Sequence, residues 1–110
     1  MAQITIIGLG TIGSSLGLAL HQYMETTEGR ANALAIVGYD PARDMQMAQK
    51  SGSVDRIASD LPSAVRDSPF VIIATPTLQV REMLQTIAPL LPAGATVTDT
   101  APGKDRKSVV

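Results

Sequence analysis

Residues 6–17 read IIGLGTIGSSLG, an apolar run leading straight into glycines at 8, 10 and 13 with the spacing G-x-G-x-x-G. The residues entering the turn, QITII at 3–7, are β-branched in the manner of a short buried strand. Beyond it the apolar period changes. Ile12, Leu16, Leu20 and Met24 recur every fourth residue, which places them on one face of a helix over 11–24. Strand, glycine turn and helix in that order open a βαβ unit of the kind that holds a dinucleotide. Gly8 then makes the tight turn, Gly10 lets a pyrophosphate approach the backbone, and Gly13 lets the helix sit close to the sheet. The phosphates rest on the N–H groups of Gly10, Thr11, Ile12 and Gly13, where the helix dipole favours negative charge. With Leu9 between them, these residues form the candidate cofactor turn. The other reading of the same glycines is a strand-to-helix turn without a ligand, and the rest of the chain decides between the two.

The next apolar segment, LAIVGY at 34–39, reads as a second strand and is closed by Asp40. An acid at the end of the second strand accepts hydrogen bonds from the adenosine ribose. Asp40 is also a good cap for a helix starting at Pro41 and running through ARDMQMAQK to Ser51-Gly52. It follows Gly13 by 27 positions, against a usual interval of about 20. The polar loop ETTEGRAN at 25–32 accounts for the excess, and loop insertions cost little. A carboxylate here repels a 2′-phosphate, so NAD is favoured over NADP. Arg43, one helical turn on, is the residue that would meet such a phosphate; its other reading is a solvated helix position.

Further along, VDRIA (54–58) reads as a short strand and LPSAVRD (61–67) as a brief helix. FVIIA (70–74) is a strand, Pro76 opens a helix through Leu91 with Val80, Met83, Leu84, Ile87 and Leu91 inward, and ATVTD (95–99) is a last strand. Alternating strands and helices predict an α/β fold, a doubly wound parallel sheet of the dinucleotide-binding type with helices on both faces. Ligands of such sheets bind outside the carboxyl ends of the strands. The loop Ala74-Thr75-Pro76 lies at such an end, and Thr75-Pro76 also suit a helix cap. The strand at 95–99 is expected to be an edge, a template for dimerisation or tail exchange.

Composition narrows the function classes. In 110 residues, 45% are hydrophobic and 17% charged, the net charge is −1, and cysteine and tryptophan are absent. That describes one globular domain, without the basic stripe or stacking aromatics of a nucleic-acid binder. Disulfides, thiolate metal sites and a cysteine nucleophile are excluded, and no metal site is expected. No apolar run approaches the roughly 20 residues of a membrane span and no signal peptide opens the chain, so the expected compartment is the cytoplasm.

Taken together, IIGLGTIGSSLGLAL, VGYDP, ASDLPSAVRDSPFVIIATPTLQV and LLPAGATVTDT resemble the cofactor domain of the prephenate/arogenate dehydrogenase family. The resemblance implies an NAD-dependent oxidative decarboxylation in tyrosine biosynthesis, with the loop at Ala74-Thr75-Pro76 beside the cofactor. It also implies D-x-G-S-x-K after the last strand, where this chain has Asp99-Thr100-Ala101-Pro102-Gly103-Lys104. Asp99 and Lys104 keep their places, and Lys104 is the candidate substrate-side residue. Pro102 replaces the serine and has neither hydroxyl nor N–H. In the family a His-Pro loop with the catalytic histidine and a helical domain follow. Here the one histidine, His21, lies about ten residues into the first helix, roughly 15 Å from its phosphate end at 1.5 Å per residue, so no catalytic residue is assigned. The expectation is a dinucleotide-binding domain over 1–100, with 101–110 beginning a connection to a catalytic region outside the chain. Such a chain is expected to bind NAD without turnover and to work with a complementing catalytic domain or as a homodimer. The alternatives are a stand-alone NAD-binding or redox-sensing module, and the cofactor domain of an enzyme like 3-hydroxyisobutyrate or 6-phosphogluconate dehydrogenase. A methyltransferase-like fold for S-adenosylmethionine is a more distant one.

Overall fold

A computed structural model describes residues 2–26, 34–41, 45–100 and 107–109. Its elements are β1 (Ala2–Ile7), α1 (Thr11–Met24), β2 (Leu34–Tyr39), α2 (Met45–Lys50), β3 (Arg56–Ile57) and α3 (Leu61–Val65). Then come β4 (Phe70–Ile73), α4 (Thr77–Ile87), a 3₁₀ turn (Ala88–Leu90), β5 (Thr96–Asp99) and β6 (Lys107–Val109). The strands form one sheet in the order β3-β2-β1-β4-β5-β6. β1 to β5 are parallel, as the alternation of strands and helices predicts. β6 is the exception, pairing antiparallel with β5 through Thr96↔Val109 and Thr98↔Lys107. The edge of residues 95–99, expected to stand open, is therefore covered by the chain's own tail.

Strand alternation sends neighbouring residues to opposite faces, and two separate cores result. On one face Ile6, Leu9 and Ile36 are buried with Ala48 and Val54, and Leu16, Leu20 and Met24 of α1 close over them. On the other, Ile7, Val37, Val71, Ile73 and Val97 are buried with Ala64 and Val65 of α3 and Val80 and Ile87 of α4. α4 buries Val80 and Ile87 with Met83 and Leu84 at its margin as expected, but the helix ends at Ile87 and Leu91 packs from beyond the 3₁₀ turn. Ile12, which shares the helical period of Leu16, Leu20 and Met24, is 56% exposed. It stands in the first turn of α1, past the end of β1, where the sheet offers nothing to cover it.

Pro41 stands in a turn and α2 is described only from Met45, so Arg43 and the proposed capping of this helix by Asp40 fall outside the described residues. α3 begins at Leu61, as the sequence indicates, and is capped by Asp60, whose carboxylate accepts the Ser63 N–H at 2.8 Å. Among the described residues no helix is long and apolar enough to cross a membrane.

Candidate functional site

The strand register sets the site. Ile7 is level with Tyr39 on one side and Ile73 on the other, and Ile73 is level with Asp99. Four parallel strands thus end along one line, and the residues that follow them emerge side by side. Backbone hydrogen bonds continue past the strands to fix those exits: Gly8 N–H to Tyr39 O at 2.9 Å, Ala74 N–H to Ile7 O at 2.7 Å and Thr100 N–H to Ile73 O at 3.1 Å. β1 lies between β2 and β4, so the chain leaves it in one direction for α1 and β2 and resumes on its other flank at β4. That is the switch point at which open α/β sheets bind ligands.

Gly8 turns the chain there with φ +99°, a conformation that L side chains rarely adopt. A Cβ on Gly8 would also stand 2.8 Å from the Ala74 carbonyl carbon and 2.9 Å from Thr75 N. The glycine turn and the loop after β4 therefore touch through their backbones. Gly10 is a different case. As the N-cap residue of α1 it has φ −71° and ψ −163°, which any residue can adopt, so its backbone geometry does not demand glycine. Close approach of a ligand would.

The N-terminus of α1 has the properties of an anion seat. No side chain caps it and no acidic residue stands in its first turn. The N–H groups of Thr11, Ile12 and Gly13 precede the first helical bond, Ser14 N–H to Gly10 O at 2.9 Å. Ser14 adds a tie that the sequence did not reveal, its hydroxyl donating to Leu9 O at 2.9 Å.

Leu9 and Asp40 take up the middle of the site. The Leu9 side chain is 6% exposed and belongs to the core under α1, so only its backbone faces the turn. Its N–H donates to Asp40 Oδ2 at 2.8 Å. The acid expected at the ribose is thus held against the glycine turn across 31 residues of sequence. A carboxylate carries two acceptor oxygens.

The loop after β4 completes the edge. Pro76 is the N-cap residue of α4 and no side chain caps that helix, so the capping role considered for Thr75-Pro76 is not what the hydroxyl does. Thr75 Oγ1 is buried without a hydrogen-bond partner. Leu78, just inside α4, is 96% exposed. Lys104 lies outside the described residues, and Asp99 ends β5. His21 is far along α1 and bonded to Asp55, away from this edge. The cradle fits a dinucleotide: an uncapped helix start, a glycine that its own backbone angles do not require, and an orphaned buried hydroxyl at the switch point.

Comparison with known proteins gives the family. Residues 26–108 match the family model described as "Prephenate dehydrogenase, nucleotide-binding domain". A prephenate dehydrogenase of Lactococcus lactis subsp. cremoris is 32% identical over 105 residues, covering 94% of this chain and 27% of that protein. The arogenate dehydrogenase of Synechocystis superposes with a TM-score of 0.75 at 26% identity, over 93% of this chain and 34% of that one. The prephenate dehydrogenase of Aquifex aeolicus does so with a TM-score of 0.73 at 27% identity, over 91% and 34%. A second structure of the A. aeolicus enzyme, with hydroxyphenyl propionate and NAD+, shares the fold at 24% identity and a TM-score of 0.73, over 90% and 33%. The chain spans about a third or less of the length of these relatives.

Proposed function

This chain belongs to the family of prephenate dehydrogenase nucleotide-binding domains, and from that premise we propose that it binds NAD as the cofactor half of a prephenate or arogenate dehydrogenase. The observation that carries this reading is the meeting, at one sheet edge, of an uncapped helix start, the Asp40 carboxylate and the Ala74–Pro76 loop. Gly8 shapes the turn, and the N–H groups of Gly10, Thr11, Ile12 and Gly13 receive the pyrophosphate. Asp40 accepts the ribose hydroxyls and its charge opposes a 2′-phosphate. Ala74, Thr75 and Pro76 flank the nicotinamide side.

NAD, when bound, supplies the hydride acceptor for oxidation of the hydroxyl-bearing ring carbon, with loss of CO₂ leaving an aromatic ring. The residues of this chain bind and orient, which is the protein's share of cofactor chemistry. In this proposal residues 1–100 form the cofactor domain and work in the cytoplasm with a complementing catalytic domain or a second copy. Lys104 is assigned to the substrate side on the family resemblance alone.

Calorimetry with NAD, NADP and S-adenosylmethionine tests the reading. NAD should bind at least about tenfold tighter than NADP, a difference of about 1.4 kcal/mol. Equal affinity for NADP removes the role given to Asp40, and binding of S-adenosylmethionine alone removes the dehydrogenase reading.

A further inference from the structure

His21 stands apart from the cofactor edge in an arrangement that the cofactor function does not require. Its Nδ1 is 2.8 Å from Gly17 O, and its Nε2 is 2.8 Å from Asp55 Oδ1. A carbonyl and a carboxylate oxygen only accept hydrogen bonds. For both contacts to be hydrogen bonds, both ring nitrogens must carry protons, and that species is the imidazolium.

The partner is itself fixed. Asp55 Oδ2 accepts the Ile36 N–H at 2.8 Å, while the Asp55 N–H donates to Ile36 O at 2.9 Å. Asp55 is thereby anchored to β2, next to β3. One turn before His21, Gly17 presses on the same segment so closely that a Cβ would lie 2.0 Å from Ser53 O. His21 and Gly17 together seat the middle of α1 on residues 53–55.

We propose that His21 is a protonation-dependent clamp that holds α1 to the β2–β3 connection most firmly when charged and more weakly when neutral. Neutral imidazole has one N–H, so it satisfies only one of the two acceptors and leaves the other facing a lone pair. Among the described residues, the charged groups acting on the ring are Asp55, from the connection, and Glu25, at the end of α1. The neighbouring Arg56 guanidinium is turned to Gln3 Oε1 at 3.0 Å. Burial opposes charge on the ring, but the bonds to Asp55 and Gly17 and the charges of Asp55 and Glu25 outweigh it. The folded-state pKa lies above the ordinary 6.5.

The sign follows from linkage. A group with a raised folded-state pKa adds stability that is fully present below the unfolded value of 6.5 and is lost as pH rises through the folded value. The clamp stands independently of what α1 binds at its other end.

His21 is the chain's one histidine, so its ring signals in an NMR titration of the full chain report it without ambiguity. The expected midpoint lies above 6.5, and Asp55→Asn should lower it while keeping an acceptor oxygen for the Ile36 N–H. A wild-type midpoint at or below 6.5, or one that Asp55→Asn leaves in place, overturns the proposal. Thermal melts give the second arm. Wild type should exceed His21→Gln in Tm at mildly acid pH and lose that advantage at alkaline pH. A difference constant across that range means a merely structural side chain.

Discussion

The backbone N–H of Leu9 donates to Asp40 Oδ2 at 2.8 Å, joining the turn after β1 to the end of β2. The contact makes Asp40 part of the turn as well as a candidate ribose acceptor. Hydrogen bonds to a charged group contribute about 1.5–3 kcal/mol when partly buried.

Asp40→Ala should therefore cost about 1–2 kcal/mol of stability and weaken NAD binding about tenfold or more. Asp40→Asn keeps an acceptor for Leu9 but loses the charge. It should hold most of the stability while narrowing the preference for NAD over NADP. Denaturant melts paired with cofactor titrations separate the two effects. An Asn variant that keeps the full preference would show that charge is not what selects.

Gly13 and Gly17 mark where α1 is drawn onto the sheet and the residue 53 segment. A Cβ at Gly13 would lie 1.8 Å from Gly8 O, and one at Gly17 would lie 2.0 Å from Ser53 O. Alanine gains about 1 kcal/mol of helix propensity over glycine, but overpacking against fixed backbone costs about 1–3 kcal/mol or more. The steric term wins at both sites. Gly13→Ala and Gly17→Ala should each lower stability by about 2 kcal/mol net, and Gly13→Ala should also disturb the cofactor turn. Unchanged melting of Gly17→Ala would mean that α1 lifts from Ser53 without penalty.

Thr75 presents the opposite balance. Its hydroxyl is buried without a partner, and a lone buried polar group costs about 1–3 kcal/mol. Thr75→Val should stabilise the ligand-free chain by about 1 kcal/mol. If the hydroxyl serves the bound cofactor, the same change should weaken NAD binding. A variant less stable than wild type, measured without ligand, would contradict this account of the site.

Much of the fold was legible because its signals are local. The strand at 34–39 and the helix at 11–24 have the boundaries that their apolar periods indicate, since burial on a pleat or a helix face leaves that period in the sequence. The glycine spacing and the acid at 40 named the candidate site for a similar reason. The turn must be built from residues without side chains, and the sequence records their absence.

Contacts between segments were not legible. Ile12 keeps the helical period yet stands in the open, because period reports a face and says nothing of what lies opposite it. The tail at 107–109 carries no strand signal strong enough to show that it would cover β5. A buried cluster of Thr5, Ser68 and the Ala64 carbonyl, with Gln3 donating to Ser68 Oγ at 2.6 Å, likewise joins residues 59 to 65 positions apart.

By itself the sequence determined the order of elements from β1 to β5, the glycine turn and the kind of ligand the turn suits. These depend on side-chain volume, backbone freedom and apolar period, all properties of a short stretch. Only the tertiary structure decided that Leu9 hands its N–H to Asp40, that Thr75 keeps a partnerless hydroxyl, and that His21 is held between Gly17 and Asp55. The Leu9–Asp40 and His21–Asp55 bonds depend on distances of about 3 Å between groups far apart in the chain, and hydrogen bonds act only at that range.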